Sequence, residues 1–181
     1  MLGLGNSLIT GGALSEFLPT SISNLSLWLK NATGANAHRW DDSSGNSNNA
    51  SQSSSGSQAS VSGGGLDFEG DNDDHYDLAS AINMGADLPW AAFIVLTMES
   101  FDSPNTIASN NSDATMFFEI QNTDQIRYRQ SGGASALKFP STSPFELSTQ
   151  MLITVTKDAS KNLVVYKNGS VLTQESSTNN P

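Results

Sequence analysis

The densest run of side chains able to do chemistry is Asp71-Asn72-Asp73-Asp74-His75-Tyr76-Asp77. Hard carboxylate oxygens packed this closely suit calcium, and Asp71, Asp73, Asp74 and Asp77 are the expected ligands. The run is not an EF-hand loop, because its sixth position is Tyr76 rather than Gly and its twelfth is Ile82 rather than Glu. The competing reading is an acidic turn whose carboxylates cap backbone amides and face water. A second polar loop, Trp40-Asp41-Asp42-Ser43-Ser44-Gly45-Asn46, offers Asp41, Asp42 and Asn46 as hydrogen-bonding groups and Trp40 as a ring to stack on a sugar. Trp28 and Trp90 sit in strand-like contexts and read as core. Arg127-Tyr128-Arg129 is the one basic aromatic patch. Arg127 and Arg129 are expected to meet an acidic glycan or partner; the alternative is a strand face whose Tyr turns inward.

Catalysis finds little to work with. Retaining glycoside hydrolysis needs two carboxylates at fixed spacing, whereas the Glu residues at 16, 69, 99, 119, 146 and 175 are scattered singly. His38 and His75 lie in polar loops with no Ser or Cys context for a triad. There is no cysteine, hence no disulfide, thiolate metal site or thiol nucleophile. The expectation is a protein that is not an enzyme.

Charge narrows the partners. The formal net charge is −10, with only 8 Lys and Arg in 181 residues. Such a field repels phosphate backbones and anionic membrane surfaces, so neither nucleic acid nor membrane insertion is expected. Charged residues are 14% of the chain, below the usual quarter or so, and Ser and Asn stand in for them. A surface polar through hydroxyls and amides suits sugars or crowding in a large assembly; long solvated loops are the plainer account. Met1 to Leu14 lacks a positive n-region and is broken by Gly3, Gly5, Gly11 and Gly12, which is not the pattern of a secretory signal. The sequons at Asn24, Asn31, Asn110 and Asn168 are expected by chance at this composition.

The elements that must position these groups read as strands. Residues 1–24 form an arm of short apolar pairs punctuated by Gly and Ser. Leu25 to Lys30 alternates as a first strand, and 31–65 follows as a long polar loop. Strand signals recur at Gly65 to Gly70, at Trp90 to Met98, which reads as a central strand buried on both faces, and at Thr106 to Ser109. Met116–Gln121 and Gln125–Arg129 flank the short loop Asn122-Thr123-Asp124, and Ala136–Phe139 follows. Met151–Thr156, Leu163–Lys167 and Val171–Thr173 close the chain, the last two joined at Asn168-Gly169. Many short strands with frequent turns imply an all-β, two-sheet antiparallel sandwich. Leu27, Leu29, Phe68, Phe93, Val95, Phe117, Ile153, Val155, Val164 and Tyr166 are the expected core.

Leu27-Trp28-Leu29, the Trp40-to-Asn46 loop, Gly65-Leu66-Asp67-Phe68-Glu69-Gly70, Thr154-Val155-Thr156-Lys157-Asp158 and the Leu163-to-Leu172 hairpin together resemble laminin-G-like, concanavalin-type jelly-roll domains over roughly residues 25–174. The resemblance implies two stacked sheets with a concave face, glycan or protein binding, and often calcium at a rim. Domains of this kind normally continue past the hairpin with further strands, so 25–181 is expected to be a jelly roll lacking its last strands. Either the arm, a neighbour or a longer parent chain would supply them. The expected function is a non-enzymatic structural or decoration protein of a virus particle such as a phage. It would be held by residues 1–24 to other virion proteins or copies of itself, with cell-surface glycans as further partners. The alternative is a secreted or cell-surface glycan-binding module of a longer bacterial protein.

Overall fold

The computed structural model describes residues 18–31, 33–62, 65–84, 88–101, 105–109, 117–121, 125–129, 137–140 and 145–174. Among them the fold is all-β with antiparallel sheets. In the described residues helical geometry is confined to three short 3-10 turns, Pro19–Ser21, Ser55–Ser57 and Gly70–Asn72. Among the described residues no helix is long and apolar enough to cross a membrane. The chain forms two compact units, Met1–Ile82 and Asn83–Pro181.

Unit 1 is built from very short strands: β1 (Ala35–Asn36), β2 (Arg39–Trp40), β3 (Ala50–Ser51), β4 (Ser60–Ser62), β5 (Gly65–Asp67) and β6 (Asp77–Leu78). They make a four-stranded sheet in the order β1-β2-β3-β6 and a β4-β5 hairpin. Ser, Asn and Asp side chains compete for backbone hydrogen bonds, which keeps ladders short in such a composition. The region 31–65 is therefore not one long loop. The expected strand Leu25–Lys30 is reduced to a single bridge between Leu29 and Asp42, because loop groups already engage its main chain: Trp28 N–H donates to Asp42 and the Trp28 carbonyl accepts from Ser43. Of the expected arm, Leu18 and Ile22 are described and exposed; 1–17 lie outside the described residues.

Unit 2 has longer strands: β7 (Trp90–Thr97), β8 (Asn105–Ser109), β9 (Phe117–Gln121), β10 (Gln125–Arg129), β11 (Leu137–Pro140), β12 (Gln150–Lys157), β13 (Leu163–Lys167) and β14 (Ser170–Leu172). Two four-stranded sheets result, β11-β10-β9-β8 and β14-β13-β12-β7. At the β13–β14 turn Asn168 and Gly169 both have positive φ (50° and 81°), the backbone that a two-residue type I′ hairpin demands and that Asn-Gly supplies. One core joins the inner faces of both sheets. Phe118, Ile120, Ile126, Tyr128, Leu137 and Phe139 come from one, and Met151, Ile153, Val155, Val165 and Leu172 from the other.

The expected core holds at Ile153 and Val155, which are buried. Leu27, Leu29, Val164 and Tyr166 are half-buried, and the side chain of Phe117 lies outside the described residues. Phe68 is exposed, its ring edge-on to Tyr76 at 5.7 Å. Phe93 and Val95 are each 64% exposed, while Ile94 and Leu96 pack against the core. Strand β7 is thus not a central strand buried on both faces. It alternates, and it ends its sheet. A continuous apolar run carries no period, so its inward parity was not readable; parity is set by the register Ile153↔Ile94 with β12.

Candidate functional site

The Trp40-to-Asn46 loop is organised around one carboxylate. Asp42 Oδ1 accepts the N–H groups of Trp28 (3.0 Å) and Ser44 (2.8 Å), and Oδ2 accepts Asn48 N–H (3.0 Å) and Ser44 Oγ–H (2.8 Å). Burial pushes this carboxyl up, but the hydrogen bonds from Trp28, Ser44 and Asn48 outweigh it and hold Asp42 below the usual carboxylate range. Asn46 donates to the carbonyls of Leu25 (2.7 Å) and Ser26 (3.2 Å). Trp40 is half-buried, its indole N–H donating to the Lys30 carbonyl at 2.8 Å. Asp41 pairs with Arg39. Gly34 closes the loop at φ +65°, where a Cβ would stand 2.6 Å from Asp41 Cβ. Asp42 and Asn46 therefore brace unit 1 from within, with most of their hydrogen-bonding capacity engaged by it.

The acidic run is divided. Asp71 and Asp73 are exposed, and Asp74 Oδ2 accepts Glu69 N–H at 2.9 Å. Asp74 Oδ1 is buried without a hydrogen-bond partner among the described residues. Burial, and then the charge of Asp74, raise the Tyr76 phenol. Asp77 stands apart on β6, paired with Ser51 of β3. No three of Asp71, Asp73, Asp74 and Asp77 bring ligand oxygens within 4.8 Å of one another.

What unit 1 does assemble is a groove of about 450 Å³ lined by His38, Ser51, Gln52, Ser53 and Asp77. Its wall is an amide–imidazole network. Gln52, 8% exposed, accepts Ser54 N–H through Oε1 (2.9 Å), which fixes its amide. Its Nε2 then donates to the His75 carbonyl (3.2 Å) and meets His75 Nε2 at 3.0 Å. That assignment makes His75 Nε2 the acceptor and puts the ring proton on Nδ1, 2.6 Å from the Asp73 carbonyl. Gln58 likewise reaches His38 Nδ1 (2.8 Å) and the Gln52 carbonyl (2.9 Å). Tyr76 O–H donates to the Ala37 carbonyl (3.0 Å) and locks the far side.

Sequence reasoning set His38 and His75 aside as lone loop residues and did not single out Gln52 or Gln58. Their partners lie 20 and 23 positions away, and no local pattern marks such a pairing. Of the residues expected to bind ligand or metal, Asp77 alone lines the groove.

Arg127 and Arg129 stand on β10 of unit 2. Both are half-buried, and Arg127 lies 2.7 Å from Glu119, its cross-strand neighbour. Tyr128 between them turns inward, its ring 5.8 Å from that of Trp90. Arg127 is thus paired across the strand, and Tyr128 between the two arginines faces the core.

Comparison with known proteins adds no relative: no family model, no curated protein and no solved structure matches the chain.

Proposed function

We propose that this chain is a non-enzymatic structural module with a lectin-like jelly roll, a decoration protein of a virus particle that contacts glycans through the groove of unit 1. The observation that carries the glycan contact is the groove itself. It is open and polar, and its lining of hydroxyls, amides, one imidazole and one carboxylate matches the donors and acceptors of a sugar ring. Among the described lining residues Asp77 is the one carboxylate, which fits binding better than retaining or inverting hydrolysis, both of which use a pair. The setting in a particle rests on the sequence: an acidic chain of low charge density preceded by an apolar, glycine-punctuated arm at 1–24.

The test is a glycan array probed with the full chain and with Asp77→Ala and Ser53→Trp, together with particle incorporation of a chain lacking residues 1–20. Retention of a defined glycan class that both groove variants lose at unchanged melting temperature is expected, as is a folded truncated chain that no longer attaches. No glycan retention by the intact chain sinks the groove reading. Normal incorporation of the truncated chain sinks the arm.

A further inference from the structure

We infer that two copies of this chain join through β7, edge to edge and antiparallel, so that two four-stranded sheets of unit 2 become one continuous sheet. This inference stands apart from the glycan groove.

The argument starts with where main-chain groups point. Leu152 on β12 donates its N–H to Asn168 Oδ1 and accepts Asn168 N–H through its carbonyl, both at 2.8 Å. Leu152 therefore faces β13, and by alternation Ile153 and Val155 face β7. Their partners Ile94 and Ala92 bond back to β12. The remaining β7 residues, Ala91, Phe93, Val95 and Thr97, must turn N–H and C=O to the open side. Among the described residues nothing pairs there.

Open edges are normally guarded by charge, proline, a bulge or brevity. The other edges of unit 2's sheets carry such guards. Strand β8 is bulged between Thr106 and Ala108. Strand β11 presents exposed Lys138 and ends at Pro140. Strand β14 has only three residues. Strand β7 has eight, Trp-Ala-Ala-Phe-Ile-Val-Leu-Thr, with no charge, proline or bulge.

The occupant that fits is another β7. Copies of a chain with net charge −10 repel one another wherever charged surfaces meet, and this edge is uncharged. The face above it is uncharged too, with Phe93 and Val95 continued across β12 to β14 by Leu152, Thr154, Tyr166 and Val171. Antiparallel pairing of identical strands is self-complementary about a two-fold axis. With the axis at Ile94, Phe93 falls opposite Val95 of the partner subunit, an aromatic–β-branched pair on one face. About eight main-chain hydrogen bonds then close the edge.

Sedimentation velocity on the full chain across low to tens of micromolar concentrations tests this. Wild type is expected at twice the 19.1 kDa chain mass. Val95→Pro, which removes an outward N–H without touching the β12 ladder, and Val95→Lys, which guards the edge with charge, are both expected to be monomeric with unchanged melting temperature. Val171→Lys, on the same apolar face but at the far strand, is expected to stay dimeric. If Val95→Pro fails to fold, Val95→Lys decides. A wild-type monomer at tens of micromolar overturns the inference, since water or this chain's own residues then satisfy the edge. So does a dimer that survives both Val95 variants, or one that only Val171→Lys disrupts.

Discussion

The two units are both antiparallel β, yet they are held together by different forces. In unit 2 Ile120, Ile126, Leu137, Phe139, Ile153, Val155 and Val165 are almost wholly removed from water. In unit 1 the buried apolar residues among those described are Ala50 and Ala59, accompanied by Gln52. Unit 2 rests on apolar burial, at about 1.5–3 kcal/mol for each large side chain. Unit 1 rests on side chains bonding main chain: Asp42, Asn46, Asn48, Asn49, Gln52 and Gln58 all act this way. The lesson is that a Ser/Asn-rich segment need not be disordered loop. It can be an element whose ladder is completed by side chains, at the cost of depending on each of them individually.

Breaking this contrast should cost most where apolar burial dominates, in unit 2. Ile153→Ala empties the centre of its core and should cost about 3–4 kcal/mol. Chemical denaturation followed at Trp90 measures it, and a loss under about 1 kcal/mol would mean that the two sheets do not share a tight core. Next comes Asp42→Ala in unit 1. Several N–H groups lose their acceptor together, and about 2–3 kcal/mol should follow. The fluorescence of Trp28 and Trp40 should report the change, and an unaffected signal would separate the loop's order from its carboxylate. Gly34→Ala should then cost about 1–2 kcal/mol, through strain at positive φ and the close approach of Asp41.

Acid sharpens the same comparison. The Asp42 carboxyl is depressed in the folded chain, so its contribution is present above the unfolded value, roughly pH 3.9. It is lost as pH falls through the lower folded value. Unit 1 should therefore loosen below about pH 4, and Asp42→Asn should flatten that dependence. Asp158 is depressed too, by hydrogen bonds from Asn162 and Ser160, but it is fully exposed on the β12–β13 turn. A titration of melting temperature in which wild type and Asp42→Asn run parallel down to pH 3 would remove Asp42 from the account.

The same contrast explains what was legible from the residues alone. Strands β8 to β14 lie close to where alternation and turn residues put them, because each pairs its apolar period with a punctuating turn such as Asn168-Gly169. Strand β7 was legible in position but not in parity, as its apolar run has no period. Unit 1 was scarcely legible. Its architecture depends on partners such as Gln52 with His75 and Asn46 with Leu25, 23 and 21 positions apart, and no local pattern encodes them. The groove inherits that illegibility, since His38, Ser51, Gln52 and Ser53 in its lining belong to no local pattern.

The smallest effect concerns a flaw in the well-packed unit. The Tyr128 hydroxyl and the Trp90 indole N–H are buried with no hydrogen-bond partner among the described residues, although their rings are neighbours. Burial raises the Tyr128 phenol, which keeps it protonated and leaves an O–H donor unmade. A buried donor without a partner costs about 1–3 kcal/mol, whereas the ring itself earns its place by packing. Tyr128→Phe keeps the ring and deletes the hydroxyl, so it should be neutral or stabilise by up to about 1 kcal/mol. Tyr128→Ala should instead cost about 3–5 kcal/mol, in line with large aromatic truncations. Thermal unfolding of the two variants separates packing from polarity at one position. A Tyr128→Phe chain destabilised by more than about 1 kcal/mol would mean that the hydroxyl has a partner in solution, a bound water or another segment of the chain, and that polar bonding matters inside the apolar unit as well.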